Sequence, residues 1–274
     1  MKGQANAQIQ QNSTMIRLHD QGFLENQRAA GKVVAKTLKM LEGLVREKTT
    51  KTMLELDRMA HDFITSQGCI PTFYLYKGFP NAVCISIGKQ LVHGIPTDYV
   101  LQEGDLVTFD LGATKNGAVA DAARTFIFGE PKEKRHQQLV DDCREALKRA
   151  IEAVEVGKRL GAIGHTIYRY GRDKGYGVIN NYGGHSVSFT ENESGEKIGV
   201  PHAPPFVANK AEPNEGVRLQ PNMTLCIEPQ FTLGSTTTSV ANDGWTVECP
   251  ALSSHEEDTI FIHSDRVEVI TAWN

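Results

Sequence analysis

An α+β domain, its helices packed on one face of an antiparallel sheet, is the fold class this sequence predicts. Two observations carry that reading. Helical periodicity comes in pairs, each followed by short β-like runs broken by Gly, Pro and Asn, and the pattern repeats after about 108 residues. No linker or composition break parts the halves, so one domain over 21–274 is expected behind a polar arm at 1–20.

The elements follow in order. The first residues, MKGQANAQIQQNSTM, are Gln- and Asn-rich with no apolar centre, so neither a signal peptide nor an anchor is expected there. From about Asn26, Ala29, Ala30, Val33, Val34, Thr37, Leu38, Leu41, Leu44 and Val45 make one helical stripe. Thr52-Met53-Leu54-Glu55 is a capping box that opens a second helix, with Leu56, Ala60, Phe63 and Ile64 on one face and Gly68 as its end. Strand-like runs fill 72–128. Helical spacing returns at 134–155 (Val140, Cys143, Leu147, Ile151, Val154) and at 160–173 (Leu160, Ile163, Ile167, Tyr170). Strands and loops take the chain from 177 to its end.

Composition narrows the function. The 274 residues carry 29 Lys+Arg against 33 Asp+Glu, a net charge of −4, which leaves no basic footprint for nucleic acid or an anionic membrane. No apolar run approaches the roughly 18 residues that a bilayer needs. Five scattered cysteines without CxxC spacing read as free thiols in a reducing compartment, so a cytoplasmic location is expected. Secreted, membrane-spanning and zinc-finger classes are thereby disfavoured.

The most informative stretch runs from Leu106 to Phe128. Asn116-Gly117 between two β-like runs is a strong hairpin signal. With those residues as the turn, Asp110 faces Ala123 and Gly112 faces Asp121. The two aspartates then share a face as diagonal neighbours, roughly 7–8 Å apart at Cα. Leu106, Val119, Ala123 and Ile127 share that face, while Val107, Phe109, Leu111, Ala120, Ala122 and Phe126 fill the other. Carboxylates on a strand pair buried on both sides need a cation or several donors. Similar settings surround His185 after Tyr182-Gly183-Gly184, Glu228 at the end of Met223-Thr-Leu-Cys-Ile, and Glu257 before Asp258-Thr-Ile-Phe-Ile262. Two Asp, two Glu and one His form a hard donor set suited to a two-metal hydrolytic site holding Mn, Fe or Co, with Zn a further candidate.

Further motifs recur in order around these: Tyr76-Lys-Gly-Phe-Pro80, Val83-Cys-Ile-Ser-Ile87, His93-Gly-Ile-Pro96, Ile227-Glu-Pro229 and Asp243-Gly-Trp-Thr-Val247. From about residue 25 onward the chain strongly resembles the type I methionine aminopeptidases, of the pita-bread fold. That resemblance implies an antiparallel sheet with two pseudo-symmetric helix pairs on its outer face. It implies two divalent ions, with Asp110 on one, Asp121 and Glu257 bridging both, and His185 and Glu228 completing the other. It also implies removal of methionine ahead of a small second residue, from peptides and nascent proteins, by a water that the ions activate. Glu228 would move the proton, and His93 and His202 would contact the substrate peptide. Tyr76, Phe79, Cys84 and Trp245 would line the methionine pocket. The family further implies a monomer, with the ribosome as a candidate partner.

Five departures stand out. Lys77 replaces a usual His, Ser-Val-Ser follows His185 where glycines are usual, and Asp110-Leu-Gly-Ala113 looks more like the type II and archaeal enzymes. The stretch from His185 to His202 is also longer than usual. Pro201 stands where an aromatic is usual, which predicts a thinner pocket wall beside a long 186–201 loop, and unusually good cleavage after Leu. Two competing readings remain at this point: an Xaa-Pro dipeptidase or aminopeptidase P, and a catalytically altered relative acting as a binding module. The short stretch before the first helix argues against the former, and the full ligand set against the latter.

Overall fold

The computed structural model describes residues 16–272, so the expected arm lies outside the described residues up to residue 15. Among the described residues, four α-helices form where periodicity places them: α1 (Gln21–Arg46), α2 (Met53–Ser66), α3 (Lys134–Glu152) and α4 (Gly161–Asp173). α1 starts earlier than its apolar stripe because Asp20 caps it, its carboxylate accepting from the Phe23 amide at 2.7 Å. α2 carries the expected capping box, Thr52 and Glu55 each accepting the other's backbone N–H. None of the described helices is long and apolar enough to cross a membrane.

The strands of the first half are β1 (Ile70–Pro71), β2 (Val83–Ile87), β3 (Gln90–Val92), β4 (Leu106–Lys115) and β5 (Ala118–Ile127). Those that follow the second helix pair begin with β6 (Gly177–Val178), β7 (Gly183–Glu191), β8 (Lys197–Ala208), β9 (Thr224–Ile227) and β10 (Gln230–Thr232). The last are β11 (Ser239–Val240), β12 (Val247–Glu248), β13 (Ser253–His255), β14 (Glu257–Ile262) and β15 (Val267–Val269). A nine-stranded sheet runs in the order β1-β4-β5-β14-β9-β7-β8, with β2 also on β4 and β15 also on β14. All its pairings are antiparallel. β5 meets β14 at the seam between the halves, Glu257 opposite Ala123.

All four helices cover one face of this sheet. α1 and α2 bury Val34, Leu38, Leu41, Leu56 and Ile64 against Val107, Phe109, Leu111, Ala120 and Ala122. α3 and α4 do the same with Leu139, Leu147, Ile163 and Ile167 against Leu225, Ile227, Ile260 and Ile262. Strand alternation therefore leaves the odd residues of β5 and the even residues of β4 and β9 for the inner face. This is the predicted α+β arrangement, two helix pairs outside and polar strand residues within.

Residues 16–20, read from composition as part of a loose arm, are held through His19, which is buried, and Arg17. Arg17 lies 4.1 Å over the Phe189 ring, and His19 stacks on Phe23 at 3.7 Å while its Nε2 donates to the Val187 carbonyl at 3.1 Å. The surface they use is the β7–β8 hairpin, whose strands take up the 186–201 stretch expected as a loop. Burial pulls the His19 pKa from 6.5 down to about 4, with Arg17 acting the same way against the Val187 bond and Asp20. The unfolded chain then binds this proton where the fold does not, so stability held above pH 6.5 is lost as pH falls toward 4. The expected loss is up to about 3 kcal/mol. Urea midpoints across that window should fall in the native chain and flatten in His19→Phe.

Candidate metal centre

The hairpin β4–β5 turns at Asn116-Gly117, both at positive φ, and sets Asp110 opposite Ala123 and Asp121 opposite Gly112, the predicted register. Gly112 leaves space there: a Cβ would meet Thr72 at 2.9 Å. Three more strands deliver the remaining donors to the same face. β14 begins with Glu257, β9 leads into Glu228, and β7 carries His185 opposite Cys226. Gly184 lets those strands close, since a Cβ on it would collide with the Cys226 carbonyl oxygen.

All five predicted donors line one cavity of about 410 Å³, together with His93, His202, Tyr76, Phe79, Cys84 and Trp245. His185 Nε2 lies 3.8 Å from Glu228 Oε1 and 4.0 Å from Glu257 Oε1. Donor atoms of Asp121, His185, Cys226 and Glu257 all fall within 4.8 Å of one another, and those of Glu228, His255 and Glu257 do likewise. His185 Nδ1 faces the Ser186 carbonyl at 3.1 Å, which fixes the proton there and turns the Nε2 lone pair toward the carboxylates.

Electrostatics argue that a cation belongs here. Burial, then the neighbouring carboxylates, raises the pKa values of Asp110, Asp121 and Glu257. Their atoms Asp110 Oδ1, Asp121 Oδ1 and Glu257 Oε1 are buried without a hydrogen-bond partner. Unpartnered carboxylate oxygens at this depth are costly, and divalent ions would compensate them. Glu228 differs. Burial pushes its pKa up, but the His255 bond and the His255, His185 and His202 rings outweigh it and hold it at about 2. The donor set fits divalent metal.

The two further histidines sit on the cavity wall. His93 adopts a left-handed backbone, φ 58, and reaches the cavity beside Tyr182, ring centres 6.2 Å apart. His202 lies 4.5 Å from the His185 ring and 5.9 Å from the Tyr76 ring. His202 is exposed on the cavity side, and desolvation by the surrounding protein, then the neighbouring His185 ring, lowers its pKa to about 3. Burial lowers His93 as well. Both are neutral rings able to donate a hydrogen bond. Phe73, Phe79 and Cys84 pack together, with Ile95 and Trp245 against them, as the apolar end. Lys77 stands at the rim, its ammonium 5.2 Å from the Tyr76 ring centre.

Pro201 requires a correction. It is buried and does not line the cavity, and neither does the 186–200 stretch. Phe206 and Phe73 line it instead, so the wall expected to be thin has aromatic residues. The long segment went into the β7–β8 hairpin, whose Gly199 packs against Thr114 and Val119 at the far end of β4–β5.

Sequence reading missed the supports behind the donors. Gln230 Nε2 donates to Glu228 Oε2 at 2.6 Å, His255 Nε2 lies 3.2 Å from the same oxygen, and Asn209 donates to the Glu228 carbonyl at 2.9 Å. Gln230 and His255 each stand two residues from a predicted donor, so the strand period could have flagged them. The buried ion pairs gave no such signal. Arg124 Nη2 bonds Asp258 Oδ1 at 2.7 Å, Nη1 donates to the Glu257 carbonyl, and Glu256 is shared with Arg144 at 3.2 Å. Thr271 adds a 2.6 Å bond to Asp258.

Residues 25–264 match metallopeptidase family M24, and the chain belongs to that family. Among its relatives, a methionine aminopeptidase of Mycoplasma capricolum is 37% identical over 94% of this chain and 98% of its own length. One from Clostridium acetobutylicum is 36% identical over 94% and 99%. The crystal structure of methionine aminopeptidase from Thermotoga maritima superposes with a TM-score of 0.86 at 33% identity, covering 94% of this chain and 99% of that one. A prolidase from Pyrococcus horikoshii shares the fold at a TM-score of 0.70 and 21% identity, and this chain covers 64% of it.

The Arg124 network fixes the strand that carries Glu257, and it is deeply buried. Arg124→Met strands Asp258 and Glu256, and should cost about 3–5 kcal/mol in urea unfolding. Arg144→Met, at a half-exposed partner, should cost far less.

Proposed function

We propose that this chain is a type I methionyl aminopeptidase, a metal-dependent hydrolase that removes N-terminal methionine ahead of a small second residue. One observation carries the reading: four carboxylates and an imidazole converge at one end of a cavity whose other wall is aromatic. Residues 21–274 form the catalytic unit in this reading. Asp110, Asp121, His185, Glu228 and Glu257 hold two divalent ions, of which Mn, Fe and Co suit the hard donors best and Zn suits them less well. Such ions would supply Lewis acidity at the scissile carbonyl and acidify water.

The chain's own residues do the rest. The methionine side chain enters among Tyr76, Phe79, Cys84 and Trp245, where its thioether meets aromatic edges worth about 0.3–1.5 kcal/mol each. Phe206 and Phe73 add to that lining, which favours methionine over leucine. The free α-amine sits on the Asp110 side, where Oδ1 has no protein partner. Glu228, oriented by Gln230 and His255, accepts a proton from the attacking water through Oε1 and returns it to the departing amine. His202 and His93, neutral at physiological pH, donate to the carbonyl oxygen and the peptide backbone as charge develops. We read the chain as acting as a monomer. Cytoplasmic action on nascent chains, beside the ribosome and without nucleic-acid readout, completes the reading.

Release of methionine from Met-Ala-Ser tests it. The chelator-stripped protein should be inactive and regain activity with Mn or Co, with Leu-Ala-Ser cleaved poorly and Ala-Pro peptides not at all. Cleavage of Ala-Pro in preference would point to the dipeptidase activity and refute this proposal.

His93→Ala should lower kcat by about 10²–10³, the usual cost of one donor to a developing oxyanion, with metal stoichiometry unchanged. Loss of bound metal in that variant would place His93 among the ligands instead.

A further inference from the structure

Cys226 is a soft donor beside the centre, and neither the mechanism nor the five-ligand set uses it. It occupies the inner face of β9, between Thr259 on β14 and His185 on β7. Asp121 joins the same row, its amide donating to Thr259 Oγ1 at 2.8 Å. The Cys226 thiol is fully buried, directly beneath the donors that line the cavity.

We propose that Cys226 is a latent fourth ligand that, with Asp121, His185 and Glu257, gives the centre a mixed oxygen, nitrogen and sulfur mode for one thiophilic divalent ion. This rests on reading the cluster as a metal centre. The four donor atoms lie within 4.8 Å of one another. Ligand distances of about 2.0–2.3 Å in a tetrahedral sphere set donors about 3.3–3.8 Å apart, so side-chain rotations that move the donor atoms by about 1 Å close the set. Two independent features aim at the same point. Asp121 Oδ1 and Glu257 Oε1 are buried and unpartnered, and His185 presents its free Nε2. The thiol already leans on the centre: it donates to the Glu257 carboxylate and lies 3.4 Å from the Thr259 hydroxyl, which itself donates to the Asp121 carbonyl at 2.7 Å. Binding exchanges the thiol proton for the ion, and the proton leaves to solvent.

The hard mode and this mode share Asp121, His185 and Glu257, so they exclude each other. A thiophilic ion would occupy the centre once, where Mn or Co would occupy it twice. Cys84 offers no such alternative. It packs with Phe73 and Phe79 and does not belong to the four-donor group.

Cadmium provides the probe, because a cadmium–thiolate bond absorbs in the ultraviolet whether or not the enzyme turns over. The full-length chain, stripped of metal and kept reduced with a phosphine, should bind one Cd²⁺ with a charge-transfer band. Cys226→Thr should abolish the band and weaken Cd²⁺ binding by about tenfold or more, while changing Mn²⁺ affinity by less than about twofold. Cys84→Ser should retain the band. Failure of the wild-type chain to bind Cd²⁺, or binding without the band, overturns the proposal with no variant needed. So does a band that survives Cys226→Thr and disappears in Cys84→Ser. Should Cys226→Thr unfold, Cys226→Ser takes its place, and protection of Cys226 from alkylation by Cd²⁺ in the wild type reports the same bond. Mn-dependent methionine release is read separately. An active enzyme without the cadmium band defeats this inference alone, whereas a chain that takes up no Mn²⁺ defeats the metal-centre reading beneath it.

Discussion

Four carboxylates buried on one face of a sheet are the constraint on which this molecule depends. Without a cation, burial and then the neighbouring negative charges raise the pKa values of three of them, Asp110, Asp121 and Glu257, and oppose folding in the ionised form. The rest of the architecture makes that arrangement tolerable. Apart from the Arg124 ion network, the outer face is apolar and sealed by two helix pairs, so packing energy is concentrated away from the carboxylates of the cavity. The inner face then carries the polar residues, and strand alternation alone decides which side each takes.

The seam between the halves is where the two demands meet. β5 brings Asp121 from the first half, β14 brings Glu257 from the second, and Ala123 opposite Glu257 is small enough to leave the space between them open. On the reverse side of the same strands, Arg124 crosses from β5 to Asp258 and Glu256. One strand pair thus carries a negative cluster facing the cavity and a compensated ion network facing the helices. Displacing β5 by one residue would put Arg124 into the cavity and Asp121 among the helices, and displacing β14 would likewise exchange Glu257 and Asp258.

Local signals made much of this legible from sequence. The Asn116-Gly117 turn fixes a register, and the register alone puts Asp110 and Asp121 on one face. The capping box at Thr52 and the apolar stripes locate the helices to within a few residues. What local pattern could not supply was anything set by a partner distant in the chain. Residues 16–20 look loose in composition, yet His19 and Arg17 are held by Val187 and Phe189, some 170 positions away. Arg124 reads as one charge in an apolar run until β14 arrives beside it. Pro201 misled for a related reason: comparison of positions assigned it to the pocket wall, while the lengthened β7–β8 hairpin leaves it buried and lets Phe206 face the cavity.

The donors themselves divide by hardness, and the division follows the strands. Asp110 and Glu228 stand with Asp121 and Glu257 as oxygen donors of the proposed centre, and the supports behind Glu228, Gln230 and His255, turn one of its oxygens away and leave the other toward His185. Nothing comparable anchors the far side of Asp121, where the next side chain in the row is a threonine and then a thiol. The centre is therefore braced on the side where a proton must be handled and soft on the side where an ion is only held. Bracing where chemistry needs a fixed oxygen costs little adaptability elsewhere, because the row beneath Asp121 and His185 takes no part in the proposed proton transfer. In the proposed reading, that asymmetry combines a fixed base with a coordination sphere that would accept more than one kind of metal.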